Sequence, residues 1–297
     1  MALKQYGYFP GCVAQESCKE LDLATHVVAE KLGWELIKLD AASCCGASVV
    51  NDMNRHLARM LNARTFAEAE ALGLDTVLTI CSTCTGHMRQ ANHELLGNER
   101  YMKDANDVLA RFGKKYSGKV ETKHMAWILR DDFGIDNIRK MVVRPLTGMK
   151  IGAFYGCHVL RPEEYASSGE DPRNPHNMED LILALGAEPI VYEGRTRCCG
   201  FHIQLEKEEV TINMVGQNMA MARDEGAESI VTGCPLCHLA LDAYQSKSVD
   251  TAFGKTDLPV FHLPQLIALA FGVAPEKVGI QKHLTDASKV LVSAGIA

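Results

Sequence analysis

The sequence has no excess of positive charge. Its 297 residues contain 31 Lys and Arg against 37 Asp and Glu, which gives a net charge of −6. Because the phosphate backbone of nucleic acid is bound by basic patches, this composition argues against a nucleic-acid partner. Hydrophobic residues make up 47% of the chain. This content supports the core of one large or two ordinary domains.

Long apolar segments are also missing. The first 40 residues contain no apolar core like that of a secretory signal peptide, so we expect the protein to stay in the cytoplasm. The longest stretch without Asp, Glu, Lys or Arg is Leu258–Pro275, and it contains Pro259, His262, Pro264 and Gln265. These residues argue against a transmembrane helix. The stretch predicts a short buried strand followed by a core helix, with a docking surface for a partner as the alternative.

Two common redox motifs are absent as well. The chain has no compact C-x₂-C-x₂-C run of the ferredoxin type and no G-x-G-x-x-G fingerprint of a dinucleotide-binding loop. A redox protein without these motifs cannot collect electrons from a nucleotide or from ferredoxin by itself. If the chain has redox chemistry, it therefore docks on a partner that carries electrons.

What the sequence does contain is cysteine, at 11 positions. A chain of this size does not need disulfides to fold, so this many cysteines indicate metal or redox chemistry. Ten of them form two sets of five with similar spacing. The first set is Cys12, Cys44, Cys45, Cys81 and Cys84, and the second set is Cys157, Cys198, Cys199, Cys234 and Cys237. Only Cys18 is left over, and its helical spacing from Cys12 predicts a small core residue rather than a ligand.

The two sets belong to an internal repeat that covers most of the chain. Phe9-Pro10-Gly11-Cys12 returns as Phe154-Tyr155-Gly156-Cys157, and Leu32-Gly33 returns as Leu185-Gly186. The distance in sequence between the two copies is 145 residues for the Phe-x-Gly-Cys segments and 153 residues for the Leu-Gly pairs, a difference of eight. We therefore place an insertion in the polar, turn-rich stretch 167–177 of the second copy.

Each copy predicts strands that alternate with helices. The expected strands are Tyr6–Phe9, Leu36–Leu39 and Thr76–Ile80 in the first copy and Lys150–Phe154, Pro189–Tyr192 and Ser229–Val231 in the second. The expected helices of the first copy are Leu21–Leu32, a segment from about Met53 to Leu72, and one that begins near Cys84. The segment Tyr101–Arg144 has helical periodicity and is expected to bridge the copies.

This alternation predicts an α/β protein with parallel sheets and helices on both faces. We expect two pseudo-repeated Rossmann-like domains, residues 1–145 with the helical connection and residues 146–297. Sites in such sheets form beyond the carboxyl ends of the strands. All ten repeated cysteines are expected there.

Three kinds of site are compatible with five cysteines. A zinc ion takes four ligands, so it leaves one thiolate unused and fits a vicinal Cys-Cys pair badly. A thioredoxin-like dithiol uses only one pair, such as Cys234 and Cys237. An iron–sulfur cluster has several irons and accommodates all five sulfurs. Gly46 and Gly200 would let the backbone approach such a cluster and donate N–H groups to sulfur. The cluster is the main hypothesis, and zinc in one half and a dithiol remain alternatives.

These motifs resemble the CCG-domain family, the cysteine-rich domain, and within it the B subunit of heterodisulfide reductase. The resemblance implies that the first and second sets each hold a noncubane [4Fe-4S] cluster. It implies two-electron reduction of a disulfide, that of coenzyme M and coenzyme B in methanogens, to two thiols between the clusters. It also implies two partners, a ferredoxin-like iron–sulfur protein and a flavin-containing protein, which are the C and A components of the same complex.

Other substrates remain open. Gly46 and the run Thr79–Cys84 resemble homologues from bacterial sulfur-oxidising complexes, where the same machinery would act on sulfur bound to lipoate or as a persulfide. Another thiol-linked or quinone-linked electron transfer is a further alternative. A non-catalytic electron-relay subunit, with clusters and no substrate, is the alternative from another class.

Disulfide reduction also consumes two protons, which His supplies well near neutral pH. His158, His202 and His238 each lie within three residues of a second-set cysteine, whereas the first half offers only His87 near Cys84. We expect His158, His238 and His202 to be possible proton donors, with a structural hydrogen bond as the alternative for each. The other histidines are expected at the surface or as satisfied core groups: His26, His56, His93, His124, His176, His262 and His283.

Overall fold

Two four-stranded sheets, each entirely parallel, form the centre of the protein. The computed structural model describes residues 3–166 and 169–296. The strand order is β2-β1-β3-β4 in the first sheet and β6-β5-β7-β8 in the second. The strands of the described residues are β1 (Lys4–Phe9), β2 (Trp34–Lys38), β3 (Thr76–Thr79), β4 (Glu121–His124), β5 (Lys150–Phe154), β6 (Glu188–Ile190), β7 (Ser229–Thr232) and β8 (Val260–His262).

Helices connect these strands and cover the sheets. Those of the first half are α1 (Cys12–Glu16), α2 (Lys19–Leu32), α3 (Val49–Met53), α4 (Arg55–Ala71), α5 (Ser82–Gly97), α6 (Glu99–Ala110), α7 (Met125–Trp127) and α8 (Ile135–Met141), with a π-helical turn at Ile128–Gly134. Those of the second half are α9 (Cys157–Leu160), α10 (Asn177–Ala184), α11 (Glu208–Asp224), α12 (Pro235–Tyr244), α13 (Leu263–Ala270) and α14 (Ser288–Ser293). Short 3₁₀ helices lie at Glu193–Thr196, Phe201–Ile203, Gln245–Asp250, Pro275–Val278 and Ile280–Lys282.

The identical order of the two parallel sheets confirms the predicted α/β architecture of two pseudo-repeated Rossmann-like units. The domain boundary between residues 145 and 146 stays a prediction. The second copy carries its extra residues between α9 and α10, where the first copy has only a short turn between α1 and α2. Ser167 and Ser168, which begin the predicted insertion, lie outside the described residues.

Although its periodicity predicts a helix, the segment Tyr101–Arg144 is not helical over its whole length. It contains β4, which pairs with β3 at the edge of the first sheet. The sequence of β4, Glu-Thr-Lys-His, has too little apolar character to give a strand signal. An edge strand pairs with a neighbour along one side only, so it needs fewer apolar residues than a central strand. By contrast, Leu258–Pro275 contains the predicted strand and helix, β8 and α13.

The two halves share their cores. A hydrophobic cluster joins Leu21 and Val28 of α2 to Leu266 and Ile267 of α13. Helix α5 packs closely on α9, and only a glycine at position 86 leaves room for the backbone of His158. The carboxyl ends of both sheets are therefore held against each other. None of the helices in the described part of the chain combines the length and apolar character needed to cross a bilayer.

Candidate functional site

The fold gathers both cysteine sets at the carboxyl ends of the strands. Cys12 begins α1 after β1, and Cys81 lies between β3 and α5 as the residue that caps the helix. Cys157 and Cys234 take the same places after β5 and β7. The vicinal pairs follow β2 and β6 in loops. Neighbouring parallel strands end at the same sheet edge, so residues far apart in sequence meet there.

Within the first set the sulfur atoms are in contact or nearly so. The Sγ atoms of Cys45 and Cys84 are 3.3 Å apart. The backbone N–H of Cys84 donates to Cys81 Sγ at 3.5 Å, and that of Gly46 donates to Cys44 Sγ at 3.4 Å. In the second set, the Gly200 N–H and Cys198 Sγ make the same contact at 3.4 Å. Backbone N–H groups thus point at sulfur in both halves.

These contacts favour thiolate at one position of each set. Hydrogen bonds from Cys12 and Cys45 lower the pKa of Cys44 to about 2. Hydrogen bonds from Cys157 and Cys199 likewise lower the pKa of Cys198 to about 2. Thiolate is the form of cysteine that binds metals. The two sets therefore share this charge preference at Cys44 and Cys198, but they differ at the next pair, where the pKa of Cys81 is raised and that of Cys234 is lowered.

Two glycines keep space open beside the last cysteine of each set. Gly11 has φ of 80°, and a Cβ there would lie 3.0 Å from Cys84 Sγ. Gly156 also has φ of 80°, and a Cβ there would lie 3.0 Å from Ser82 Cβ and 3.4 Å from Cys237 Sγ. Both the backbone conformation and the lack of space favour glycine at these positions. The chain is thus shaped around the sulfur atoms.

The donor set fits a cluster of several metal ions better than one ion. Each set offers five free thiols, and backbone N–H groups bond to sulfur in both. A single zinc ion would satisfy four of the five thiolates and leave a buried sulfur without a partner. An iron–sulfur cluster would be held by Cys12, Cys44, Cys45, Cys81 and Cys84 in the first half and by Cys157, Cys198, Cys199, Cys234 and Cys237 in the second.

The two sets meet at the contact between the halves. Cys81 Sγ lies 3.7 Å from Cys234 Sγ, and Thr83 Oγ1 lies 3.6 Å from the same atom. The Ser82 side chain donates to the Tyr155 carbonyl at 2.8 Å. The first turn of α5 therefore contributes to the surroundings of the second set, which the internal repeat alone does not reveal.

A cavity of about 290 Å³ opens beside the first set. Its walls come from both halves, with Val13 and Val49 on one side and Phe201, Leu205 and Leu236 on the other. The polar side chains among its lining residues include His202, Gln204 and Glu206, and none of those residues is Lys or Arg. The cavity is therefore suited to an uncharged, largely apolar molecule next to sulfur ligands. Cys12 and Cys44 are exposed, so the first set is the more accessible one.

Two of the three predicted histidines lie at this site. The rings of His87, His158 and His202 are neighbours, with centroids 5.0 Å apart for the first pair and 5.2 Å apart for the second. His158 Nδ1 is 3.1 Å from Thr83 Oγ1. Burial, together with the neighbouring His87 and His202, lowers the pKa of His158 to about 4. His202 is exposed and lines the cavity, so His202 and His158 lead from solvent toward Cys157, and His87 of the first half lies on the far side of His158.

His238 lies elsewhere. Its ring stacks on that of His262 with centroids 3.9 Å apart, and it contacts the ring of His283 at 4.7 Å. Burial lowers the pKa of His238 well below its usual range. The structure therefore separates His238 from His158 and His202, and its predicted role as a proton donor stays a prediction. His262, which the sequence predicts as a satisfied core group or a surface group, is buried, and its side chain accepts from the Gln265 N–H at the start of α13.

The sequence did not reveal Thr83, His87 and His262 as site residues. Thr83 and His87 lie one turn apart in α5, so the sequence shows that both are close to Cys84. It does not show that they contact residues of the other half. His262 ends β8 as His124 ends β4. Extending the repeat to these two strands would have revealed that pair.

Two parallel-sheet units with paired thiol sets at their carboxyl ends define a class of cysteine-rich metal-binding redox domains. The CCG model, described as the cysteine-rich domain, matches residues 6–89 and 151–242. The chain belongs to this family, which confirms the resemblance drawn from its cysteine motifs.

Relatives extend over almost the whole chain. The chain is 35% identical to the 8-methylmenaquinol:fumarate reductase membrane anchor subunit of Wolinella succinogenes, over 97% of this chain and 99% of that protein. It is 34% identical to a protein of Archaeoglobus profundus that is named as like the B subunit of heterodisulfide reductase, over 92% and 93% of the two chains. It is 30% identical to the B subunit of a ferredoxin/F420H2-dependent CoB-CoM heterodisulfide reductase of Methanosarcina acetivorans, over 93% and 92%.

A solved structure supports the fold. A hypothetical protein from Helicobacter pylori superposes with a TM-score of 0.76 at 13% identity, and the match covers 95% of this chain and 52% of that one. At this identity the likeness concerns the fold alone.

Proposed function

We propose that the protein is the iron–sulfur redox subunit of a heterodisulfide reductase-type complex. The observation that carries the proposal is the meeting of two complete five-cysteine sets, with Cys81 Sγ and Cys234 Sγ 3.7 Å apart. The relatives named as parts of reductases support it. Two one-electron centres held side by side suit a two-electron reaction on one substrate. We propose that both centres are noncubane [4Fe-4S] clusters.

The reaction we propose is the interconversion of a disulfide and two thiols. Reduction takes two electrons and two protons, and oxidation releases them. When bound, the clusters supply the electrons and sites that accept sulfur. The chain's own residues hold the substrate beside Cys12 and Cys44 and exclude water with the apolar walls of the cavity. Protons pass through His202 and His158, and because its low pKa keeps His158 neutral near pH 7, that ring relays a proton rather than storing one.

The cavity bears on the choice of disulfide. Coenzyme M and coenzyme B carry a sulfonate and a phosphate, and such groups are usually bound by Arg or Lys. The cavity's lining residues include neither, and Glu206 adds negative charge. An uncharged cyclic disulfide such as the lipoyl group matches these walls better. We therefore propose a lipoyl-type disulfide ahead of the coenzyme M–coenzyme B disulfide.

Quinol oxidation is the second candidate. The same cavity is apolar enough for a quinone ring, and one relative that spans the whole chain is named as part of a menaquinol:fumarate reductase. His202 and Glu206 could take the protons that a quinol releases.

An electron-relay subunit without a substrate remains the hypothesis that is not an enzyme. The cavity beside the first set argues against it.

The proposal includes partners that deliver or remove electrons. We propose a ferredoxin-like iron–sulfur protein and a flavin-containing protein, the C and A components of a heterodisulfide reductase. The relatives that are named as parts of reductases support an assembly of several chains. Work in the cytoplasm stays a prediction.

The first test is metal analysis of protein purified without oxygen. We expect about eight irons per chain, four for each cluster, and little zinc in the two sets. Replacement of Cys45 or Cys199 by Ala should remove about half of the iron. Cys18→Ala is the matched control because Cys18 belongs to neither set, and it should keep all of the iron. A chain without iron would contradict the proposal.

The second test separates the substrates by electron paramagnetic resonance. Dihydrolipoamide, coenzyme M and a menaquinol analogue are each added to the oxidised protein. A substrate that reacts at the clusters should give a new paramagnetic signal with that compound alone. A protein that gives no compound-dependent signal would be an electron relay.

A further inference from the structure

Four potential metal ligands meet in the interior, apart from the two cysteine sets. One ligand atom each from Cys18, Glu20, His238 and His262 lies within 4.8 Å of every other. Their side chains are nearly inaccessible, with exposed fractions of 0%, 6%, 3% and 0% in that order. Cys18 and Glu20 begin α2 of the first half, whereas His238 in α12 and His262 at the end of β8 belong to the second half. The cluster therefore joins the halves.

The two histidines have few partners for buried imidazoles. Their ring nitrogens make no short hydrogen bond to another side chain in the described part of the chain, and the contacts they do have are to backbone, that of His262 being the Gln265 N–H at the start of α13. The Glu20 carboxylate is 3.4 Å from His262 Nε2 and also interacts with the Cys18 thiol, which donates to the Pro235 carbonyl oxygen at 3.9 Å. Buried polar groups in native proteins are ordinarily well paired, so several weakly paired ligand atoms at one point need an explanation.

The internal repeat supplies a built-in comparison. The counterpart of His262 in the first half is His124, whose Nε2 donates to the Gly233 carbonyl at 2.7 Å while Nδ1 accepts from the Ala126 N–H at 3.1 Å. The counterpart of His238 is Thr85, which bonds to the Cys81 carbonyl and to Thr79. Both first-half residues have short hydrogen bonds within the protein. The second half instead places two stacked imidazoles at these positions and faces them with a thiol and a carboxylate.

The chemistry of the donors is specific. Two imidazoles, one thiolate and one carboxylate make four ligands of the kinds that bind Zn²⁺ in tetrahedral sites. The ligand atoms need to approach by about 1 Å to reach tetrahedral spacing, which side-chain rotation can supply. A cavity of about 360 Å³, lined by Glu20, His238 and Asp242, offers a route for an ion. Around the four ligands, His283 packs on His238 and accepts from Gln265.

We propose that Cys18, Glu20, His238 and His262 bind one Zn²⁺ ion in a closed, structural site between the two halves. The ion would satisfy the four buried groups and fix α2 of the first half to α12 and β8 of the second. This site is independent of the iron–sulfur proposal because it uses none of the ten repeated cysteines. It gives His238 a role other than proton transfer and gives Cys18 a role beyond filling the core.

The test uses the full-length protein with its clusters, purified without oxygen, equilibrated with Zn²⁺ and freed of excess metal. Zinc and iron are measured on the same sample. We expect about one zinc per chain in the wild type. Cys18→Ala and His262→Ala should each lose the zinc and keep the iron. His26→Ala, an exposed histidine of the same helix α2, is the matched control and should keep both metals.

X-ray absorption at the zinc edge tests the site without any variant. We expect one sulfur and three nitrogen or oxygen neighbours around zinc in the wild type. A shell of four sulfurs would place the zinc in the repeated cysteine sets and overturn the proposal. Wild-type protein without zinc, or zinc retained by both variants, would overturn it as well. Failure of the iron–sulfur proposal would instead appear as missing iron, so the two outcomes are distinguishable.

Discussion

Cys81 Sγ and Cys234 Sγ are 3.7 Å apart although they belong to different halves of the repeat. Each lies just before a helix at the end of a central strand, β3 and β7. Burial would raise the pKa of Cys234, but hydrogen bonds from Cys237 and Cys81 outweigh it and lower that pKa. The two cysteine sets thus meet through this sulfur–sulfur contact, and we expect a change in one set to act on the other through it.

The first prediction concerns this contact. Cys81→Ala should reduce the iron content by more than half because it removes a first-set ligand and also alters the surroundings of Cys234. Cys12→Ala, at the exposed end of the same set, should remove only the iron of the first set. Iron analysis and electron paramagnetic resonance of protein purified without oxygen measure both. Equal losses in the two variants would show that the contact does not couple the sets.

The second prediction concerns the glycines beside the sulfur atoms. Gly11 has φ of 80° and ψ of 161°, a backbone region open essentially to glycine alone, so Gly11→Ala should cost about 1–3 kcal/mol of stability and should also displace Cys84, whose sulfur is 3.0 Å from the new Cβ. Gly73 has a similar φ of 74°, and a Cβ there would meet no atom within 4 Å, so Gly73→Ala should carry only the backbone strain. Iron content and thermal unfolding separate the effects. Iron retained by Gly11→Ala would contradict a role in shaping the first set.

The central strands and the cysteine sets can be predicted because their signals are local. The predicted strand Lys150–Phe154 has the observed bounds of β5, and the turns after β1 and β5 repeat the same Gly-Cys pair. Edge strand β4 escapes prediction because its polar residues resemble a connecting segment. The helix expected from about Met53 is divided at Asn54, whose side chain accepts from the Leu57 N–H and begins α4 anew.

Features that depend on packing between the halves could not be predicted. The contacts of Thr83 with His158 and Cys234 join residues that are 75 and 151 positions apart in the sequence. The sequence places His238 beside Cys237, but the helix turns its ring away from His158 and toward His262. Motif spacing shows which cysteines act together, whereas the direction of each neighbouring side chain depends on the contact between two folded halves.

The third prediction concerns the cavity. Val49→Trp should fill part of its volume of about 290 Å³ and raise KM for the substrate about tenfold, because a bulky ring occupies space next to Cys44. The iron content should not change. Val292→Trp is the control, since Val292 in α14 is similarly exposed and is not among the residues that line the cavity. An unchanged KM for Val49→Trp would show that the substrate binds elsewhere. Steady-state kinetics with the assembled complex give these values.

The fourth prediction concerns proton exchange at His158. His158→Gln should lower kcat about 100-fold with the iron content unchanged, the usual size of a general acid–base contribution. Thr83→Val keeps the shape of the side chain but removes its bond to His158 Nδ1, and it should lower kcat about tenfold. Turnover and the pH profile of kcat are measured in the assembled complex. His93→Gln, on the exposed part of α5, is the control. Loss of iron from His158→Gln would indicate a structural role instead.

The last prediction follows from the buried His124. Burial lowers its pKa, and its geometry requires a neutral ring, because Nδ1 must accept from the Ala126 N–H while Nε2 donates to Gly233. The unfolded chain takes up a proton at this residue near its ordinary pKa of about 6.5, but the folded chain does not. Folding stability therefore falls as the pH drops below about 6.5, by up to about 1.4 kcal/mol per pH unit from this group alone.

His124→Asn removes the titrating group, so the variant's free energy of unfolding, measured by urea titration at pH 7.5 and 5.5, should change less with pH than that of the wild type. Other buried histidines act in the same direction in both proteins, which leaves the difference between the two slopes as the contribution of His124. Equal slopes would mean that the folded protein accepts the proton, and the hydrogen bond to Ala126 would then not be maintained.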